Sequence, residues 1–117
     1  MSYRIKTTKM FDKELKHLVK KYCSLKDEIA ELGKVLSDSP LVGVSLGRGV
    51  RKVRLAIASK GKGKSHGARV ITYTEAIICA DEEGVVTLLT IYDKADRDSI
   101  SSEEIAALLD SLSRSEE

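Results

Sequence analysis

The sequence predicts a single α+β domain, and three observations predict it. Apolar residues recur with a helical period up to about residue 40 and with a period of two from Val50 onward. The only proline, Pro40, stands between those two regimes. A capping-type pattern and a short apolar stripe then close the chain. The expected order is β-α-α-β-β-β-α, an antiparallel sheet with an N-terminal helical hairpin packed on one face and a short C-terminal helix. A length of 117 residues suits one domain spanning 1–117, and 42% apolar with 32% charged residues is ordinary for a globular chain.

Each element has its own reason. Residues 2–7 alternate Tyr3 and Ile5 with Arg4 and Lys6, which predicts a short strand. Phe11, Leu15, Leu18, Val19 and Tyr22 lie on one stripe, so a helix is expected from Thr8 to Tyr22, its other face rich in lysine and bearing His17. Ser24 with Asp27 three residues on reads as a capping box, opening a second helix with the stripe Leu25, Ile29, Leu32 and Leu36. Pro40 marks its end. Val50–Ser59 then alternates Val53, Leu55 and Ile57 with Lys52, Arg54 and Ala56. As a strand it places Lys52 and Arg54 on one face, about 7 Å apart and away from the core. Residues 60–67 are a cationic loop, Ala68–Ala80 a second strand, and 81–84 a turn. Val85–Tyr92 is continuously apolar, which suits a central strand. Ser101 and Glu104 form another capping box before Ile105, Leu108, Leu109 and Leu112.

Charge is sorted along this plan. Between Asp38 and Glu75 there is no acidic residue, whereas Arg48, Arg51, Lys52, Arg54, Lys60, Lys62, Lys64 and Arg69 all fall there. That is eight of the twenty basic side chains and none of the eighteen acids, in a chain of net charge only +2. Such a segment makes a basic face, and the usual ligand of a basic face is a polyphosphate. With four tyrosines, one phenylalanine and no tryptophan, a broad aromatic platform for bases is not expected. No apolar run approaches the ~20 residues that cross a bilayer, and the N-terminus lacks a signal-peptide core. Cys23 and Cys79 have neither CxxC nor metal-like spacing and read as reduced thiols of a cytoplasmic chain.

Two familiar motifs fail. ASKGKGKS invites a phosphate-loop reading, but Ala58 stands where the first glycine is required, and the loop joins two strands. Gly61 and Gly63 are followed by His66 where a dinucleotide-binding loop needs its third glycine. Histidine is a common general base, yet no orienting carboxylate neighbours His66 in sequence. No carboxylate pair, Ser/His/Asp set or metal-ligand cluster stands out, and no metal or organic cofactor is called for. The bland reading of the loop is a solvated hairpin tip. Against it stands the pairing with Lys52 and Arg54 on one flank and Arg69 on the other, whose self-repulsion a phosphate backbone relieves.

The run RKVRLAIASKGKGKSHGARVITY, followed by LLTIYDKAD, resembles the RelE/ParE superfamily of type II toxin–antitoxin toxins, closest to its HigB-like branch. The matching features are a K-x-R strand, an S-K-G-K-G-K loop, a G-x-R-V-I-Y strand and an LL-x-I-Y-x-K strand, in the same order over nearly the whole chain. The resemblance implies a RelE-like fold and a ribosome-dependent mRNA endoribonuclease (an mRNA interferase) that inhibits translation. Metal-free attack by the 2′-hydroxyl needs a proton acceptor, cations for the pentavalent phosphorane and a donor for the leaving 5′-oxygen. Clustered Lys and Arg supply all but one of these, and like-charge crowding favours a neutral lysine.

By position the resemblance implies a catalytic set of Lys52, Arg54, Arg69, Tyr92 and Lys94. Arg54 and Arg69 stabilise charge, and Lys52 is the candidate proton acceptor. Arg48, Arg51, Lys60, Lys62, Lys64, His66 and Arg97 make up an RNA-binding set. The chain departs from the better-known RelE members after Tyr92, where ADRDSIS offers Arg97 for their arginine and no further tyrosine. The implied partners are the ribosome, mRNA and a HigA-like helix-turn-helix antitoxin, with operator DNA reached only through the antitoxin complex and no membrane. Two alternatives stay open: a ParE-like toxin directed at gyrase, and an inactive nucleic-acid-binding module of the same fold.

Overall fold

The computed structural model describes residues 3–60, 66–75, 84–97 and 99–115. In chain order these form β1 (Arg4–Thr7), α1 (Lys9–Lys21), α2 (Leu25–Asp38), β2 (Val44–Gly47), β3 (Val50–Leu55), a 3-10 turn (Ala58–Lys60), β4 (Ala68–Glu75), β5 (Val85–Asp93) and α3 (Ser102–Ser115). The strands make one sheet in the order β1-β5-β4-β3-β2. The fold is α+β, and β5, with its apolar run, is an interior strand flanked by β1 and β4.

Two expectations are corrected. The sheet is mixed rather than antiparallel, because β1 runs parallel to β5, pairing Arg4 with Val85 through Thr7 with Leu88. Alternation of Tyr3 and Ile5 reveals a strand but not its direction, and only the crossing of the whole intervening chain sets that. A further strand, β2, pairs antiparallel with β3 through a two-residue turn at Arg48–Gly49. All four residues of β2 are exposed, so it carries no inward apolar period to read. Arg48 (φ 59°) and Gly49 (φ 79°) both take the left-handed conformation, the geometry whose twist matches a tight hairpin.

The helices arise largely as the periodicity dictates. Thr8 caps α1, its hydroxyl accepting from the Phe11 amide at 2.9 Å and donating to the Leu89 carbonyl at 2.9 Å, so the helix start is tied to β5. Phe11 and Leu18 of α1, and Leu25, Leu32 and Leu36 of α2, pack with Val53, Ala68, Val70, Val86, Leu88 and Ile91 into the main core. Burying a side chain such as Phe11 contributes about 1.5–3 kcal/mol. A smaller cluster on the opposite sheet face joins Val50, Ile71, Leu89 and Tyr92 to Ile105 of α3. A register shift at Ile71/Thr72, opposite Thr90 and Leu88, leaves Leu89 as an extra residue and resets the alternation, so Leu88 and Ile91 share the main core while Leu89 and Tyr92 share the second cluster.

The capping expectations divide. At α3 the box forms as read: the Glu104 amide donates to Ser101 Oγ at 3.1 Å and the Ser101 amide to Glu104 Oε1 at 3.3 Å. At α2 the Ser24–Asp27 box does not form, because Ser24 Oγ donates to Glu28 Oε1 at 3.0 Å and accepts from the Ser59 amide at 3.0 Å. Glu28 Oε2 also accepts from the Ala58 amide at 2.6 Å. The start of α2 therefore holds the 3-10 turn that follows β3.

Candidate nucleic-acid interface

Strand alternation and register assemble the basic face. Val50, Lys52 and Arg54 share one face of β3, opposite Tyr73, Ile71 and Arg69 of β4. Arg69 in turn lies opposite Tyr92 of β5. Arg54, Arg69 and Tyr92 thus form a row across three adjacent strands, with Lys52 one step along. Directly opposed side chains in an antiparallel pair have Cβ atoms about 4.5–5.5 Å apart, so the register sets two like-charged residues side by side on neighbouring strands. The row points away from the main core, as the strand pattern predicts, but onto a face shared with the α3 cluster rather than a bare one.

The members differ in access. Arg54 is exposed and Lys52 half-buried, whereas Arg69 is only 3% exposed, with Nη1 donating to the Ala68 carbonyl at 3.1 Å. Tyr92 is buried, and the Arg97 guanidinium lies over its ring at 5.0 Å from the centroid. Arg97 is fixed there by Nε and Nη2 donating to the Ser99 carbonyl at 3.1 and 2.9 Å, and by Nη2 donating to Glu104 Oε1 at 2.6 Å. That last bond raises the Arg97 pKa and holds the Glu104 carboxyl below its usual range. Arg97 therefore links the capping box of α3 to the end of the row.

The other expected residues scatter. Lys94, half-buried, follows Tyr92, and its amide donates to the Gly67 carbonyl at 3.0 Å. Arg48 is exposed at the β2–β3 turn. Arg51 sits opposite Ser45 and Thr72, on the other face of β3 from Lys52 and Arg54. His66 is exposed at the approach to β4. Lys62 and Lys64 lie outside the described residues, as do Cys79 and the expected continuation of the second strand to Ala80. Lys60 is placed differently from the expectation of an RNA contact: its Nζ donates to Asp93 Oδ1 at 2.5 Å and its side chain is only 13% exposed.

That ion pair exposes the residues the sequence reading missed. Asp93 is buried beneath the row and also accepts from Tyr22 Oη at 2.6 Å and from the Ala95 amide at 2.9 Å, with Lys21 Nζ 4.0 Å away. Burial pushes the Asp93 carboxyl upward, but the bonds from Lys60, Tyr22 and Ala95 outweigh it and hold the pKa below its ordinary value. No local signal identifies this set, since Tyr22, Lys60 and Asp93 lie on three distant segments. A cavity of about 860 Å³ opens elsewhere, between α1, β5 and α3; Tyr92 and Arg97 line it, but Lys52, Arg54 and Arg69 do not.

No protein-family model matches this sequence, and no curated protein matches it. No helix among the described residues is long and apolar enough to cross a membrane.

Proposed function

We propose that this protein is the toxin of a type II toxin–antitoxin system, a cytoplasmic endoribonuclease of the RelE/HigB kind that cleaves mRNA on the translating ribosome. The observation that carries the reading is the register of Arg54, Arg69 and Tyr92 across β3, β4 and β5, with Lys52 on the same face. The sequence resemblance picks out those same positions, and the row gathers them from three successive strands.

Each side chain has a role in this reading. The ribose 2′-hydroxyl gives its proton to the acceptor and its oxygen attacks phosphorus; the bond to the 5′-oxygen breaks and that oxygen takes a proton from water, leaving a cyclic phosphate and a free 5′-hydroxyl. Arg54, exposed, meets the phosphate oxygens directly. Arg69, buried and held by a carbonyl, is a fixed positive charge beneath them, placed before the reaction begins and acting through a low-dielectric medium. Lys52 stands at the position of the proton acceptor. Tyr92 and Lys94 close the row at the β5 end, and the ribosome supplies the message in a fixed path. A HigA-like antitoxin, itself an operator-binding protein, is the partner that silences this surface.

The direct test is cleavage of a defined message by purified protein, with and without programmed ribosomes, followed by primer extension. Cuts that need the ribosome and disappear in Arg54→Ala support the reading. Binding of RNA without cuts points instead to an inactive module of the same fold; no cuts in vitro together with growth arrest on expression in a bacterial host points to a gyrase-directed toxin.

A further inference from the structure

We propose that Asp93 is a positioning residue for the basic row: from the opposite sheet face, its carboxylate ties the turn that follows Arg54's strand to the end of Tyr92's strand, with Arg69's strand held between them by backbone pairing. The row sits at one end of the sheet. Arg54 is the penultimate residue of β3, Arg69 the second of β4 and Tyr92 the penultimate of β5. Strand ends fray unless something ties them down. Here the ties converge on Asp93, whose register partner is Ala68 beside Arg69.

Its Oδ1 accepts from Lys60, in the turn that follows β3, and from the Ala95 amide. Its Oδ2 accepts from Tyr22, at the end of α1. Its backbone carbonyl accepts from the amides of Asp96 and Arg97 at 2.9 and 3.2 Å, closing the turn that carries Arg97 over the Tyr92 ring. One residue thus joins β3, α1, β5 and the Arg97 turn, yet faces away from any RNA laid on the row. Its carboxylate also holds the Lys60 charge on the far face. The groups around the carboxylate are Lys60, Tyr22 and Lys21, with Asp96 acting on Lys21 from the turn.

The proposal rests on the nuclease reading, and its experiment separates the two. Asp93→Asn keeps the shape and removes the charge; Lys60→Gln and Tyr22→Phe leave the carboxylate and remove one donor each. Thermal melts show which variants are folded at the assay temperature. Among those, ribosome-dependent cleavage is measured with kcat and KM separated, alongside binding of a short single-stranded RNA.

Asp93→Asn is expected to lower kcat roughly tenfold to a hundredfold by misplacing the row, with RNA affinity and KM changed little. Lys60→Gln is expected to lower kcat in the same direction, and the double variant to fall no further than Asp93→Asn alone, because both break one contact. An unchanged kcat in folded Asp93→Asn overturns the proposal, as do losses that multiply in the double variant. Should Asp93→Asn fail to fold, Lys60→Gln and Tyr22→Phe decide: kcat unchanged in both overturns it. If the wild type cleaves nothing, the nuclease reading has failed. Positioning is then judged by the NMR signals of the Tyr92 ring and the Arg97 Nε–H, which the Asp93 or Lys60 variants must shift.

Discussion

Arg54 and Arg69 stand directly opposite each other in the antiparallel register of β3 and β4, one exposed and the other 3% exposed. Two like charges in such a pair are destabilising, so the fold gives up stability at the place where an anion would recover it. Arg54→Gln is therefore expected to stabilise the free protein by about 0.5 kcal/mol while weakening RNA binding. Its salt dependence should also flatten by about one counterion. Chemical denaturation and RNA titrations at several salt concentrations check both halves. A variant that loses stability and keeps its affinity contradicts the assignment.

Asp93 makes stability sensitive to acid. Its carboxyl is held below the ordinary value of 3.8, so its contribution is complete above that pH and disappears as pH falls through the lower folded value. Wild type should lose this stability in the window below 3.8, whereas Asp93→Asn, which has no such proton to gain, should show a flatter profile there. At neutral pH, Asp93→Ala leaves Lys60 and Tyr22 without their acceptor and is expected to cost about 3 kcal/mol. Unfolding followed from pH 7 to pH 2 reads both effects.

Thr72 is fully buried in β4, and its hydroxyl has no hydrogen-bond partner among the described residues. A buried polar atom without a partner carries its desolvation penalty uncompensated. Thr72→Val keeps the branched shape and is expected to stabilise by about 1 kcal/mol, seen as a higher denaturation midpoint with an unchanged slope.

Gly67 lies where the end of β3 meets the start of β4. A Cβ there would run into the Leu55 carbonyl, a backbone atom that no rotamer change can move. The Gly67 carbonyl also accepts from the Lys94 amide. Gly67→Ala is expected to destabilise by about 2–3 kcal/mol and to displace the same strand ends that carry the row. A cleavage assay beside a thermal melt distinguishes this from a silent change.

Much of this architecture is legible in the sequence, for local reasons. The stripes of α1 and α2, the Ser101–Glu104 cap and the apolar run of β5 are properties of short windows, and the structure realises them. What was not legible depends on distant chain. The exposed β2 has no inward period, although Gly47-Arg48-Gly49 between apolar residues was a usable turn signal. Ser24 bonds Glu28 rather than the Asp27 side of its helix because Ser59 and Ala58 pack there. The shared face of Lys52 and Arg54 follows from strand alternation, but the burial of Arg69 depends on chain beyond its own strand. Lys60 looks like one more loop cation until Asp93, 33 residues later in the chain, is seen to hold it.

The most direct test of the central claim is induced expression of wild type and Arg54→Gln in a bacterial host, with growth followed and mRNA 5′-ends mapped across translated regions. The account predicts growth arrest and new 5′-ends inside translated message for wild type, and neither for the folded variant. Soluble, folded wild-type protein that leaves both growth and message intact would contradict it.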